Sequence, residues 1–366
     1  MDTYLGIMSG TSMDAIDVVA ACFDNKLQII SKYSHDIPPG VKQRLLAITP
    51  ETSIHDISEL DCIMGRLFAD SANQLINTHD HESYPIKAIG CHGQTVYHNP
   101  YGANTNTIQI GDPNTIAANT GFPVVADFRR KDMALGGQGA PLVPAFHSFA
   151  FSCAEKNRVA VNIGGIANVS LLPAAGLIDK EEIKGYDTGP GNTLMDLWIK
   201  KNQGSEYDTN GNWAKGGKVI QELLNQMLDA PYFQLTPPKS TGKELFNIEW
   251  LEKYISGKQF SAEDIQATLN MLTATTIADC ILRDMPECDE LIACGGGAFN
   301  THLIENIHAL LPEIKVISSA NLGITPELVE ATAFAWLAKQ RILGLSGNLP
   351  SVTGASGATV LGAVYI

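Results

Sequence analysis

Three glycine turns constrain this chain more than any other feature. The first, Ser9-Gly10-Thr11-Ser12, joins two apolar runs at 3–7 and 16–22. The second, Gly164-Gly165, joins runs at 159–163 and 167–172. The third, Gly295-Gly296-Gly297, follows a run at 290–294 and precedes a helical pattern at 299–311. Short apolar runs flanking a glycine turn read as hairpins, and a run followed by glycines and then a 3.6-residue pattern reads as a strand-to-helix turn. Lacking a Cβ, glycine lets backbone N–H groups reach phosphate oxygens, and the nearby hydroxyls add donors. One such turn is most often structural. Three in this order mark a phosphate site, and the helix after the third would present the positive end of its dipole to an anion.

The rest of the chain is organised around these turns. A third strand is expected at 27–33, and a helix at 58–79, with Ser58 and Asp61 at capping-box spacing. Strands follow at 86–91, 107–110 and 124–128. The second half has a strand at 182–186, a long helix at 261–285 opened by Ser261 and Asp264, a strand at 314–318 and a helix at 327–344. Each half thus opens with a glycine-turned hairpin and goes on with alternating helices and strands, which indicates α/β lobes with mixed sheets. The halves share element order but not sequence. Length supports two domains, since 366 residues is more than one core of ~150 residues needs. The polar, glycine-rich stretch 202–217 reads as a surface loop or moving lid.

Charge and cysteine usage narrow the function. The net charge is −14 and no basic stripe is present, which argues against nucleic-acid binding. The one compact basic cluster is Arg129, Arg130 and Lys131. No apolar run approaches the ~20 residues that span a bilayer, and the start lacks a basic n-region, so a cytoplasmic chain with no membrane partner is expected. Seven scattered cysteines without a CxxC pair read as free thiols in a reducing compartment. His92 and His98 stand six apart without an evident third ligand, so a metal site there is disfavoured. Trp198, Trp250 and Trp336 sit in helical contexts and read as core.

The sequence YDTGPGN at 186–192 places Asp187 at a strand end before a rigid turn. It reads either as a turn cap or as a base presented at a fixed angle. There is no Walker A motif and no G-x-G-x-x-G after the first strand. The order hairpin, hairpin, strand–GGG–helix resembles the actin, hexokinase and heat-shock-ATPase superfamily. That likeness implies two actin-like (ribonuclease H-like) lobes with mixed five-stranded sheets and an ATP cleft between them. Where that superfamily carries an acid just before the first Gly-Thr, this chain has Gly6-Ile7-Met8, with its acids later at Asp14 and Asp17.

A closer resemblance covers essentially the whole chain. MSGTSMDAID (8–17), CHGQT (91–95), DFRRKDMALGGQGAPLVPAFH (127–147), NIGGIANVS (162–170), DTGPGN (187–192), PKSTGKE (238–244), DIQATL (264–269), CGGGAFN (294–300) and ELVEATAFAWLA (327–338) are similar, in order, to the 1,6-anhydro-N-acetylmuramic acid kinases. Ala15 departs from the family's usual Gly. The resemblance implies a first lobe of 1–130 plus about 345–366 and a second of 131–344. It implies that ATP, with Mg2+, meets Gly10, Thr11, Ser12, Met13, Asp14, Ala15, Ile16 and Asp17, then Gly164 and Gly165, then Gly295, Gly296 and Gly297.

The implied substrate has O6 tied to C1 in an internal ether, so the proton to be removed belongs to a water, and Asp187 is the expected catalytic base. The product would be N-acetylmuramic acid 6-phosphate, in peptidoglycan recycling and amino-sugar catabolism. The lactyl carboxylate calls for a cation, Arg129 or Arg130, because guanidinium binds carboxylate in a planar fork. His92, Gln94 and Glu330 are expected at the sugar. A homodimer is implied as well. A kinase of another amino sugar, or a non-catalytic sugar-sensing protein that binds ATP, remains the alternative at this stage.

Overall fold

The computed structural model describes every residue except 11, 12, 14, 25 and 175–182. Thr11, Ser12 and Asp14 of the first turn, and the start of the strand expected at 182–186, therefore lie outside the described residues. The strands in chain order are β1 (Thr3–Ser9), β2 (Ala15–Phe23), β3 (Leu27–Asp36), β4 (Ile86–Cys91), β5 (Gln94–Asn99), β6 (Asn106–Ile110), β7 (Val124–Ala126), β8 (Arg158–Ile163), β9 (Ile166–Leu172), β10 (Lys184–Pro190), β11 (Glu290–Cys294), β12 (Lys315–Ser318) and β13 (Ala363–Tyr365). Contacts divide the chain into two units, Met1–Phe146 with Leu328–Ile366, and His147–Glu327.

The two units wind their sheets alike. In the first, β1, β2 and β3 form an antiparallel meander, and β4 and β7 extend it in parallel from β1. In the second, β8, β9 and β10 form the meander, and β11 and β12 extend it in parallel from β8. This is the ribonuclease H-like order twice over. The second sheet has the expected five strands, and the first has six, because β13 pairs antiparallel with β7.

Alternation along β1 decides how the first unit packs, because successive strand side chains point to opposite faces. Leu5 and Ile7 face a core built with Leu60, Met64, Phe68 and Ala72 of the helix Ile54–Ile76. Burying a side chain such as Phe68 completely stabilises by about 1.5–3 kcal/mol. Gly6 points the other way, toward the helix Val329–Ile342. A Cβ on Gly6 would lie 1.8 Å from the Ala331 carbonyl oxygen, and one on Gly90 of β4 would lie 2.0 Å from that of Phe334. The helix therefore rests directly on the β1 and β4 backbones. For that reason 328–344 packs with the first unit rather than with the second lobe, to which the sequence reading assigned it, and 131–146 goes with it.

Two local readings also change. The helix begins at Ile54, capped by Ser53, whose hydroxyl accepts the Asp56 N–H at 3.1 Å. In its first turn Ile54 is 89% exposed, while Ile57 packs against the core. Asp61 instead accepts the Gly111 N–H at 2.7 Å. The stretch 202–217 lies mostly at the surface, as expected, but it is folded into short helical turns rather than an open loop. The buried Asp208 carboxylate accepts the N–H groups of Trp213 and Ala214, both at 2.9 Å, and so opens the short helix Asn212–Gly216. The long helix of the second unit, Ala262–Asp284, starts where expected, with Ser261 accepting the Asp264 N–H at 3.0 Å. Trp198, Trp250 and Trp336 are all core.

Candidate functional site

In the His147–Glu327 unit, tertiary contacts gather the second and third glycine turns around the Asp187 segment. Gly164 and Gly165 turn the β8–β9 hairpin, and their carbonyls are taken by the chain that leaves β10. Gly165 accepts the Gly191 N–H at 2.9 Å and the Thr193 N–H at 3.1 Å, and Gly164 accepts the Asn192 N–H at 2.8 Å. A Cβ on Gly191 would lie 2.3 Å from the Gly164 oxygen, so only glycine permits this lock. Asn192 also donates to the Ile163 carbonyl at 3.2 Å and stands beside Gly297.

The three residues of the third turn differ. Gly295 and Gly297 are packed against Asn162 and Ile163, whereas a Cβ on Gly296 would meet nothing within 4 Å. Gly296 thus keeps an open side that packing does not require. The helix beyond corrects the sequence reading. A 3-10 turn, Gly296–Phe299, intervenes, and the helix Thr301–Leu310 is capped by Asn300, whose side chain accepts the Leu303 N–H. The Asn300 side chain thus satisfies one N–H group of that helix's first turn.

Asp187 lies within β10 rather than at its end, where the pairing with β9 shifts register between Asp187 and Gly189. Its Oδ2 accepts the Thr241 N–H at 2.9 Å, its own N–H donates to the Lys239 carbonyl at 3.2 Å, and its carbonyl accepts the Tyr232 hydroxyl at 2.8 Å. The carboxylate is half-buried and oriented by backbone, which suits a group that must act from one fixed place. Sequence reasoning assigned no role to Tyr232, Lys239 or Thr241. The motif PKSTGKE was the available signal for the last two.

The Met1–Phe146 unit with its C-terminal segment carries the other expected residues. Ser9, at the end of β1, donates to Gln94 Oε1 at 2.8 Å, so Gln94 supports the first hairpin from beneath. Of that hairpin's turn, Gly10 and Met13 are described. The Met13 N–H donates to the Gly10 carbonyl at 3.1 Å, and Met13 has φ 55°. Ala15, Ile16 and Asp17 begin β2, with Asp17 opposite Met8.

His92 is 5% exposed, and its Nε2 accepts from Arg129 Nε at 3.1 Å and Nη2 at 2.9 Å. Burial, then the neighbouring Arg129 charge, hold the imidazole well below its usual pKa, so it is neutral and can accept. Arg129 Nη1 donates to the Gly139 carbonyl at 2.7 Å. Arg130 is exposed, with Nε 3.6 Å from Asp127. Glu330 is half-buried in the first turn of the helix Val329–Ile342.

Sequence reasoning passed over Asp132. It is fully buried and accepts from the Gly139 N–H, Asn348 and Thr353 at 2.7–2.8 Å. It shapes the loop on which Arg129 rests. Among the described residues, no group of three or more His, Cys, Asp or Glu side chains could hold a metal ion.

Comparison with known proteins extends this local picture to the whole chain. A family profile described as anhydro-N-acetylmuramic acid kinase matches residues 2–366. The protein of that name from Coxiella burnetii is 48% identical over 367 residues, covering 100% of this chain and 97% of the relative. That from Saccharophagus degradans is 48% identical over 370 residues, covering 99% and 98%. That from Shewanella pealeana is 48% identical over 366 residues, again covering 99% and 98%. An alignment of that extent takes in both glycine hairpins, the Asp187 segment with its PKSTGKE support, and the third turn together, and on it the chain belongs to the anhydro-N-acetylmuramic acid kinase family.

Proposed function

We propose that this protein transfers the γ-phosphoryl group of ATP to O6 of 1,6-anhydro-N-acetylmuramic acid while water opens the internal ether. The observation that carries this reading is Asp187, held by three bonds that fix its backbone and carboxylate, in the unit that also gathers two glycine turns with open sides at Gly164 and Gly296. The step balances as follows. Asp187 takes one proton from a water, the water oxygen bonds to C1, and the C1–O6 bond breaks with its electron pair on O6. O6 bonds to the γ-phosphorus, the bridge to the β-phosphate breaks, and ADP leaves. Negative charge that would build on O6 is absorbed by phosphorus, so each half of the reaction assists the other. The products are N-acetylmuramic acid 6-phosphate and ADP, as cell-wall recycling requires.

The supporting roles follow from chemistry. Gly164 and Gly296 leave room for close approach of the nucleotide, and Gly165, with Gly10, Ala15 and Ile16 of the hairpin that Gln94 supports, is taken to meet it as well. Mg2+ keeps much of its water and is bound through phosphates plus one or two carboxylates. Asp17, on the first hairpin, fits that donor set and would help to hold it, and the ion when bound offsets phosphate charge. Arg130 is the better-placed cation for the lactyl carboxylate, since its ion pair with Asp127 is long and exposed, while Arg129 is engaged with His92 and Gly139. Glu330 lies near the sugar in this reading. The protein acts in the cytoplasm as a homodimer. No described helix is long and apolar enough to cross a membrane.

Isotope labelling tests the reaction. In 18O water, label must enter C1 of the sugar product early in turnover and must be missing from the transferred phosphate, whose bridging oxygen is the old ether O6. Label in inorganic phosphate, or none at C1 beyond the slow exchange of an unlabelled product control, would discard coupled hydrolysis and phosphorylation.

A further inference from the structure

A base that aims a water at one carbon needs its backbone held as firmly as its side chain. Asp187 sits where that is hardest. β10 is the edge strand of its sheet, and its ladder slips between the Asp187–Asn168 and Gly189–Ala167 pairs. An irregularity of this kind re-aims side chains at the expense of ladder support. One short segment makes up the loss. In the 3-10 turn Pro231–Gln234, the Tyr232 hydroxyl donates to the Asp187 carbonyl at 2.8 Å, on one side of the slip. On the other side, Phe233 presses so close that a Cβ on Gly189 would lie 2.7 Å from its ring.

Tyr232 is itself fixed. Its ring is 6% exposed and stands edge-on to Phe246, with centroids 5.5 Å apart. The Lys239 ammonium lies 4.7 Å above that ring and donates to the Tyr232 carbonyl at 3.4 Å. Lys239 is only 4% exposed, a costly place for an ammonium that gains one long hydrogen bond and two aromatic faces, the nearer that of Tyr232 and the farther, at 5.9 Å, that of Tyr186. The arrangement is intelligible if the cation serves the ring, because a charge over a phenol strengthens its O–H as a donor. The same residue's carbonyl accepts the Asp187 N–H, so Lys239 grips the base from a second direction.

We propose that Tyr232, seated by Lys239, is a positioning residue for the base Asp187. It touches no reacting atom and acts by fixing the Asp187 carbonyl at the slip in β10. The inference rests on Asp187 being the base.

Tyr232→Phe removes one oxygen and keeps the ring. With ATP and the anhydro sugar, kcat should fall about tenfold, within the ~10²-fold that a 1 Å misplacement can cost. Both KM values should stay within about twofold, because binding groups are untouched. The solvent deuterium isotope effect on kcat should rise, since removal of the water's proton becomes more limiting, and a purely structural loss would not move it. Asp187→Asn is measured alongside. If that variant turns over normally, the base assignment fails and this inference with it. If it is inactive while Tyr232→Phe keeps wild-type kcat and isotope effect, the base stands and the positioning role is overturned. Should Tyr232→Phe fail to fold, Lys239→Met decides: a smaller kcat loss with the same rise in isotope effect supports the proposal, and an unchanged pair of values overturns it.

Discussion

The same strand order is secured in two different ways. In the unit built on β1, the first hairpin is held through its strands. The helix Val329–Ile342 lies against the bare backbone at Gly6 and Gly90, and Gln94 catches Ser9 at the strand end. In the unit built on β8, the fixing has moved into the loop. The Gly164 and Gly165 carbonyls are bonded to the N–H groups of 191–193, so the turn and the Asp187 segment form one piece. The difference shows how a duplicated topology can be specialised. The first hairpin is fixed along its strands. The second is fixed at its turn, which ties the Asp187 segment to a set place beside it.

The largest test of this contrast removes the proposed base and nothing else. Asp187→Asn should lower turnover by ~10²–10⁴, the range for a general base, with ATP-analogue affinity by calorimetry kept close to wild type. Near-normal turnover in a folded variant would take the chemistry away from this unit.

Next comes the strand-held hairpin. Gly6→Ala sets a methyl group into the Ala331 carbonyl, which is helix backbone and cannot swing aside. We expect a loss of ~3 kcal/mol or more in chemical denaturation, at the upper end for overpacking. A loss below ~1 kcal/mol would mean that the helix can lift off β1, and the contrast would weaken.

Acid should bear on the second unit through His147. It is fully buried, its Nδ1 is 2.8 Å from Ser170 Oγ, and burial pushes its pKa down to about 3. Because the folded pKa lies below the unfolded one, the unfolded chain takes up a proton as pH falls below ~6.5 while the folded chain does not, so stability drops with acid. From pH 6.5 to 5 this group alone should cost about 1.6 kcal/mol. His147→Asn should flatten the decline by that amount in denaturation series at several pH values. Parallel curves for the two proteins would mean that His147 gains its proton in the folded state.

The smallest effect is the most selective. Gly296→Ala meets no neighbour, so stability should stay within ~0.5 kcal/mol. Nucleotide affinity should nonetheless fall several-fold if the adenosine side of ATP lies there. Gly297→Ala would instead strike Ile163 and destabilise. Equal effects from both variants would remove the special standing of Gly296.

Much of this protein follows from local sequence, because glycine turns and apolar periodicity act over a few residues. The two hairpins, the run 290–294 and the long helix from Ser261 stand close to where pattern reasoning puts them. The family is legible for the same reason, as its motifs are contiguous. Tertiary structure decided the rest through contacts distant in sequence. The helix at Val329 joins the first unit because glycines more than 200 residues earlier, Gly6 and Gly90, admit its backbone. Arg129 is engaged by His92 and Gly139 because folding brings three separate segments to one place. Asp187 is held by Tyr232, Lys239 and Thr241, 45 to 54 positions further on. No periodicity announces such partners, since hydrogen bonds and close packing depend on which surfaces meet, and that is settled only when the whole core is formed.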